Sequence, residues 1–148
     1  MGLFGKKKMP DDLEAMKIQF AVDALKDHYK WICNTDDIGA FINGSNSMKD
    51  DIQQLFEYEK KYPNFFTNKP SYGWNKILQE REGVEQDFID RYIMSIERKL
   101  LNYSTMRGKT NNLNKMVDIF RYYAGEFDPK NVNYFEMLIR ERFSEFYQ

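Results

Sequence analysis

The chain has 148 residues, a net charge of −1, 42% hydrophobic residues, 30% charged residues and 16% aromatics. A chain of this length is the usual size of one domain and can bury about 70% of its unfolded surface, so folding requires neither a disulfide nor a metal. The aromatic content excludes disorder for the body of the chain, and the single cysteine, Cys33, excludes an internal disulfide, which disfavours a secreted scaffold and makes a cytoplasmic setting the expectation.

Residues 1–9 read as a flexible basic tail, with Gly2 and Gly5 loosening it and Lys6, Lys7 and Lys8 keeping it wet. Pro10, Asp11, Asp12 and Glu14 then make a helix start, because proline suits the first turn and acids favour the positive end of the dipole. The periodicity predicts a first helix to about Cys33. Leu13, Met16, Phe20, Ala24, His28 and Trp31 follow three- and four-residue steps, and Ile18, Val22, Leu25, Tyr29 and Ile32 widen the apolar stripe. Residues 34–46 break the pattern, with one helical turn over Asp36–Ile42 and a turn signal at Asn43-Gly44. Ser45 or Ser47 can cap a second helix to about Tyr62, turning Met48, Ile52, Leu55, Phe56 and Tyr62 inward.

Pro63 to Gly73 is expected to be irregular, since its two prolines oppose a regular helix. Trp74–Glu82 reads as a short helix. The strongest helix of the chain, Val84 to about Tyr103, has Val84, Phe88, Tyr92, Ile96 and Leu100 at four-residue steps. A polar connection over Ser104–Thr110 leads to a helix from about Asn111 to Ala124, with Gly125 as its stop. Asp128-Pro129 reopens the chain before a last helix from about Asn131 to Tyr147, with Phe135, Leu138, Ile139, Arg142, Phe143 and Phe146 in register. No segment alternates with period two and no repeat of fixed period occurs. The expected fold is all-α: one compact, irregular bundle of about five main helices and one or two short ones, occupying residues 10–148.

Catalytic and metal motifs are thin. Gly108-Lys109-Thr110 matches the end of a phosphate-binding loop, but the glycine required five positions before Gly108 is replaced by Tyr103, and helix precedes it where a strand is needed. One histidine and one cysteine cannot make a structural zinc site, and His28 and Cys33, five apart, do not share a helical face. The acidic pairs Asp36-Asp37 and Asp50-Asp51 fall at helix starts or on polar faces, where capping explains them. The expectation is therefore a protein that is not an enzyme and takes no cofactor.

Three surfaces are candidates for contact. Tyr62, Phe65, Phe66, Tyr72 and Trp74 cluster around two prolines, and Tyr and Trp are enriched at binding hot spots. From Arg98 to Arg121 six bases (Arg98, Lys99, Arg107, Lys109, Lys115 and Arg121) stand against one acid, Asp118, a local balance of +5. Tyr103, Asn111, Asn112, Asn114 and Tyr122 are interleaved with them, a mixture suited to phosphate contact and base stacking. At the N-terminus Leu3 and Phe4 could enter a bilayer interface with Lys6, Lys7 and Lys8 on anionic lipid, a weak attachment of roughly 3 kcal/mol at most.

Asn, Lys, Ile, Tyr and Phe make up 60 of the 148 residues, the bias that AT-rich coding produces, and it points to an AT-rich bacterium or to a phage or mobile element in one. The leading expectation is a small intracellular helical binding module (an adaptor, inhibitor or subunit) that acts by contact with a protein partner. The alternative is a nucleic-acid-associated protein using Arg98–Arg121. An enzyme is the third and least expected reading, and peripheral membrane contact through the N-terminus is expected to be weak.

Overall fold

In the computed structural model, residues 9–67 and 74–147 are described. Among them every regular element is helical, and the fold is all-α. The helices are α1 (Asp12–Ile32), α2 (Ile38–Lys61), α3 (Pro63–Thr67), α4 (Trp74–Glu80), α5 (Val84–Leu100), α6 (Met106–Tyr122) and α7 (Pro129–Arg142). Short 3₁₀ turns lie at Arg81–Gly83, Ala124–Glu126 and Ser144–Phe146. Five long helices with two short ones match the pattern of the sequence. None of the described helices is long and apolar enough to cross a membrane.

The chain divides into two compact units. The first comprises the chain up to Ile32 together with Asn43–Arg81. Its core is built from Ile18, Val22, Leu25 and Ile32 of α1, Met48, Ile52 and Leu55 of α2, and Tyr62, Phe65, Trp74 and Ile77 beyond them. Asp11 caps α1 by accepting the Glu14 amide at 2.8 Å. The buried face of α1 is not the stripe that the sequence favours. Ile18, Ala21, Val22, Leu25 and Ile32 are inside, whereas Leu13, Met16, Phe20 and Trp31 are each more than half exposed. The helix is apolar on both sides, so periodicity alone cannot tell which side turns inward.

The helix α2 corrects a second expectation. Asn43-Gly44 makes no turn, and the helix runs unbroken from Ile38. Asp37 starts it by accepting the Ala40 amide at 2.8 Å. Gly44 is buried on the face toward α1, where its missing side chain permits close approach: a Cβ there would stand 2.5 Å from Cγ2 of Ile32. Packing outweighs local turn preference at this dipeptide. Pro63 likewise opens α3 rather than forbidding it, because the first helical position needs no amide donor.

The second unit comprises Cys33–Ile42 and the chain from Glu82. Here α5 packs against both α6 and α7. Val84, Phe88, Ile89, Tyr92, Ile93, Ile96 and Leu100 are buried as their spacing predicts, while Leu101 is exposed. Rings form the centre of the unit. Phe41 stacks on Phe88 with centroids 4.2 Å apart, and Phe120 stacks on Phe135 at 3.7 Å. α6 begins at Met106, earlier than Asn111, because Thr105 caps it by accepting the Gly108 amide at 3.0 Å. α7 begins at Pro129 with Asp128 as cap and ends at Arg142, where Arg142 faces outward and binds Glu97 at 3.0 Å.

The Tyr92 hydroxyl is buried in this core and donates to the carbonyl oxygen of Met116 at 2.6 Å. Burial, with the Asp37 charge adding to it, raises the phenol above its ordinary range. A raised folded-state pKa contributes stability that is complete below the unfolded value of about 10 and is lost as pH rises beyond it. Tyr92→Phe is expected to cost about 0.5–1.5 kcal/mol at neutral pH. The same variant should flatten the alkaline limb of urea-unfolding stability measured between neutral pH and pH 11; an unchanged limb would mean that Tyr92 is not the group titrating.

Candidate interaction surfaces

The aromatic residues around the prolines build the first unit from within. Tyr62, Phe65 and Trp74 are buried and Phe66 is half-buried. Phe56 meets the Trp74 ring edge-on at 5.1 Å, and Phe65 meets Phe66 likewise at 5.6 Å. The Tyr62 hydroxyl donates to Oε2 of Glu14 at 2.7 Å, and this bond holds the phenol above its usual range. Among these five residues Tyr72 lies outside the described ones, as do Leu3, Phe4, Lys6, Lys7 and Lys8 of the proposed lipid contact.

Among the described residues, a row of exposed large apolar side chains lies instead on α1. Successive residues of a helix turn by about 100°, which puts Leu13, Met16, Phe20 and Trp31 on the side opposite Ile18 and Leu25. Met9, just before the helix, is exposed as well. Ala24 and Asp27 continue the stripe between Phe20 and Trp31, with Asp23 at its edge. The signal was present in the sequence as two apolar stripes where a helix covered on one side needs one.

The basic segment separates into engaged and unengaged charges. Arg98 binds Asp36 at 3.2 Å, and Arg121 grips Glu136 with two bonds of 2.9 Å. That grip holds the Glu136 carboxyl below the usual carboxylate range. The Lys99 ammonium lies 4.0 Å from the sulfur of Met116. Arg107, Lys109 and Lys115 form no ion pair among the described residues. Arg107, Asn111, Asn114, Lys115, Asp118 and Tyr122 share the outer face of α6, opposite the buried Leu113, Met116, Val117 and Phe120. An open groove of about 660 Å³ runs along this face, lined by Asn111, Asn114, Lys115, Asp118, Ile119, Tyr122 and Tyr123. Tyr122 is 83% exposed and meets Tyr123 edge-on, with centroids 5.0 Å apart.

The tripeptide Gly108-Lys109-Thr110 sits inside the first turns of α6, and the Thr110 hydroxyl donates to the Met106 carbonyl at 2.8 Å. It therefore wraps no loop around a phosphate. His28 bonds through Nδ1 to Oδ2 of Asp51, bridging α1 and α2 within the first unit. Among the described residues no group of three or more His, Cys, Asp or Glu side chains is placed to hold a metal ion. Compared with protein families, curated proteins and solved structures, the chain matches none.

Proposed function

We propose that the protein is a small binding module that acts by contact with a protein partner, and that the outer face of α1 is the contacting surface. One observation carries this reading: Leu13, Met16, Phe20 and Trp31 are more than half exposed along one face of a single helix. Burying a side chain such as Leu or Phe is worth about 1.5–3 kcal/mol, and exposed apolar side chains grouped on one face mark interaction surfaces. An amphipathic helix laid into a partner's groove is read through anchors at such spacing. The lone Cys33, which has no second cysteine in the chain to pair with, supports a cytoplasmic setting.

The test is capture of a stoichiometric partner by the full chain, compared with Leu13→Ser/Phe20→Ser. The double variant should weaken capture by roughly ten-fold or more while helical content and melting temperature stay nearly unchanged, as for other surface substitutions. Partner binding that the double variant leaves intact would remove α1 from the account.

A second reading is association with nucleic acid through the Arg98–Arg121 segment. It is favoured by Arg107, Lys109 and Lys115, which have no acidic partner among the described residues. Cations left unpaired are the ones able to displace counterions from phosphates, so such binding weakens with salt.

A further inference from the structure

We propose that the outer face of α6 is a binding surface for single-stranded nucleic acid, with Tyr122 as a base-stacking platform and Arg107 and Lys115 as phosphate contacts. This rests on the nucleic-acid reading above and specifies its site and its ligand.

The charges define the face. Of the six bases in the segment, Arg98 and Arg121 are neutralised by Asp36 and Glu136 and contribute little to attracting a polyanion. Lys109 stands about 200° round the helix from Arg107 and does not share its face, and Lys99 belongs to α5, with its ammonium 4.0 Å from the sulfur of Met116. Arg107 and Lys115 remain, one near the start of α6 and one two turns further on, both on the outer side and both unpaired among the described residues. Between Arg107 and Tyr122 the helix rises about 22 Å, enough to lie along several nucleotides.

The aromatic residue defines the ligand. A tyrosine that is 83% exposed contributes little to its own fold, and its edge-on contact with Tyr123 limits where the ring can turn. Such a ring is a stacking surface for a base, and stacking requires a base whose faces are not covered by neighbours, which a duplex does not offer. Asn111 and Asn114 offer amide donors and acceptors in the same groove. Asp118, the one acid of the groove, would accept from an exocyclic amino group, as acidic side chains do toward cytosine. The connection between α5 and α6 also speaks against duplex reading. It spans five residues, Leu101–Thr105, where a DNA-reading helix pair has a tight turn of about three or four.

The experiment is fluorescence anisotropy of the full chain with a labelled mixed-sequence single strand, as DNA and as RNA, and with the matching DNA duplex, at two salt concentrations. The single strand should bind more tightly than the duplex, and the DNA and RNA arms tell which source of the strand is preferred. Tyr122→Ala should weaken single-strand binding by roughly ten-fold or more, with Tyr122→Phe close to the parent. Arg107→Gln/Lys115→Gln should reduce the slope of log K against log salt by about 1.4, at about 0.7 for each phosphate contact. Circular dichroism of the variants controls for folding. Salt-sensitive binding that Tyr122→Ala leaves unchanged, or that favours the duplex, overturns this proposal and leaves the nucleic-acid reading standing. Absence of binding to every probe overturns both.

Discussion

Phe120→Ala is expected to lower the stability of the second unit by about 3–5 kcal/mol. Phe120 is fully buried and sits where the rings of α5, α6 and α7 converge. Its ring stacks on Phe135 with centroids 3.7 Å apart and an interplanar angle of 11°, lies 5.0 Å from Phe127, and lies 5.9 Å from Tyr92. Truncation removes apolar burial and leaves a cavity walled by stiff aromatic rings, which relax poorly into the space. Domains of this size have total stabilities of about 5–15 kcal/mol, so the loss is a large share of the whole. The melting temperature should fall by roughly 6–20 °C, at about 2–4 °C per kcal/mol. Phe120→Leu, which keeps much of the volume, should cost less. Both tryptophans, Trp31 and Trp74, belong to the first unit. Far-UV circular dichroism therefore follows the whole chain and tryptophan fluorescence the first unit alone. A shift seen by dichroism and absent from fluorescence would show the two units unfolding separately. A loss below about 1 kcal/mol by dichroism would mean that the ring cluster is not what holds the second unit.

The contrast between α5 and α1 shows what the sequence can disclose. In α5 the positions between the buried apolar ones are charged or polar (Glu85, Gln86, Asp87, Asp90, Arg91, Ser95, Glu97, Arg98 and Lys99) except for the exposed Met94, so one dominant face is left to bury and the spacing identifies it. In α1 the apolar residues fall on both sides, and the choice between them is made by α2 and α4, elements that local periodicity does not see. The basic segment has the same character. Its charge is plain from composition, but Arg98 finds Asp36 across 62 residues of chain and Arg121 finds Glu136 across the α6–α7 turn. Only the fold separates these engaged cations from Arg107 and Lys115. The aromatic residues near the prolines were legible as a cluster, yet their burial around Trp74 depends on Phe56 of α2 and on the Glu14 carboxylate. The helix start was legible at Asp11, was read two residues late after Asp128, and was missed at Asp37 and at Thr105, where a glycine three residues later suggested a loop.

Gly44 is where local preference and packing oppose each other most directly, and the second prediction rests on which wins. Inside an exposed helix, replacing glycine by alanine gains about 1 kcal/mol, because the unfolded chain loses freedom and the helix gains a better former. At Gly44 the added Cβ would stand 2.5 Å from Cγ2 of Ile32 and 3.3 Å from Cδ1 of Trp31. The first separation is well inside contact distance. The atom it meets is a β-branch of a buried isoleucine whose χ1 has little freedom in a helix, so α1 and α2 must move apart to relieve it. Overpacking of this kind costs about 1–3 kcal/mol, so Gly44→Ala is expected to be net destabilising by up to about 2 kcal/mol. Gly44→Leu, which must place three further carbons in the same space, should lose about 3 kcal/mol or more. Gly83→Ala is the control, since nothing lies within 4 Å of its added carbon and no such loss is expected. Urea titration followed by tryptophan fluorescence reads the result where it matters, because Trp31 is one of the two residues displaced. A stabilised Gly44→Ala would show that the α1–α2 contact yields at little cost and does not need the glycine. A loss that grows from alanine to leucine would establish it as the residue that lets the two helices approach.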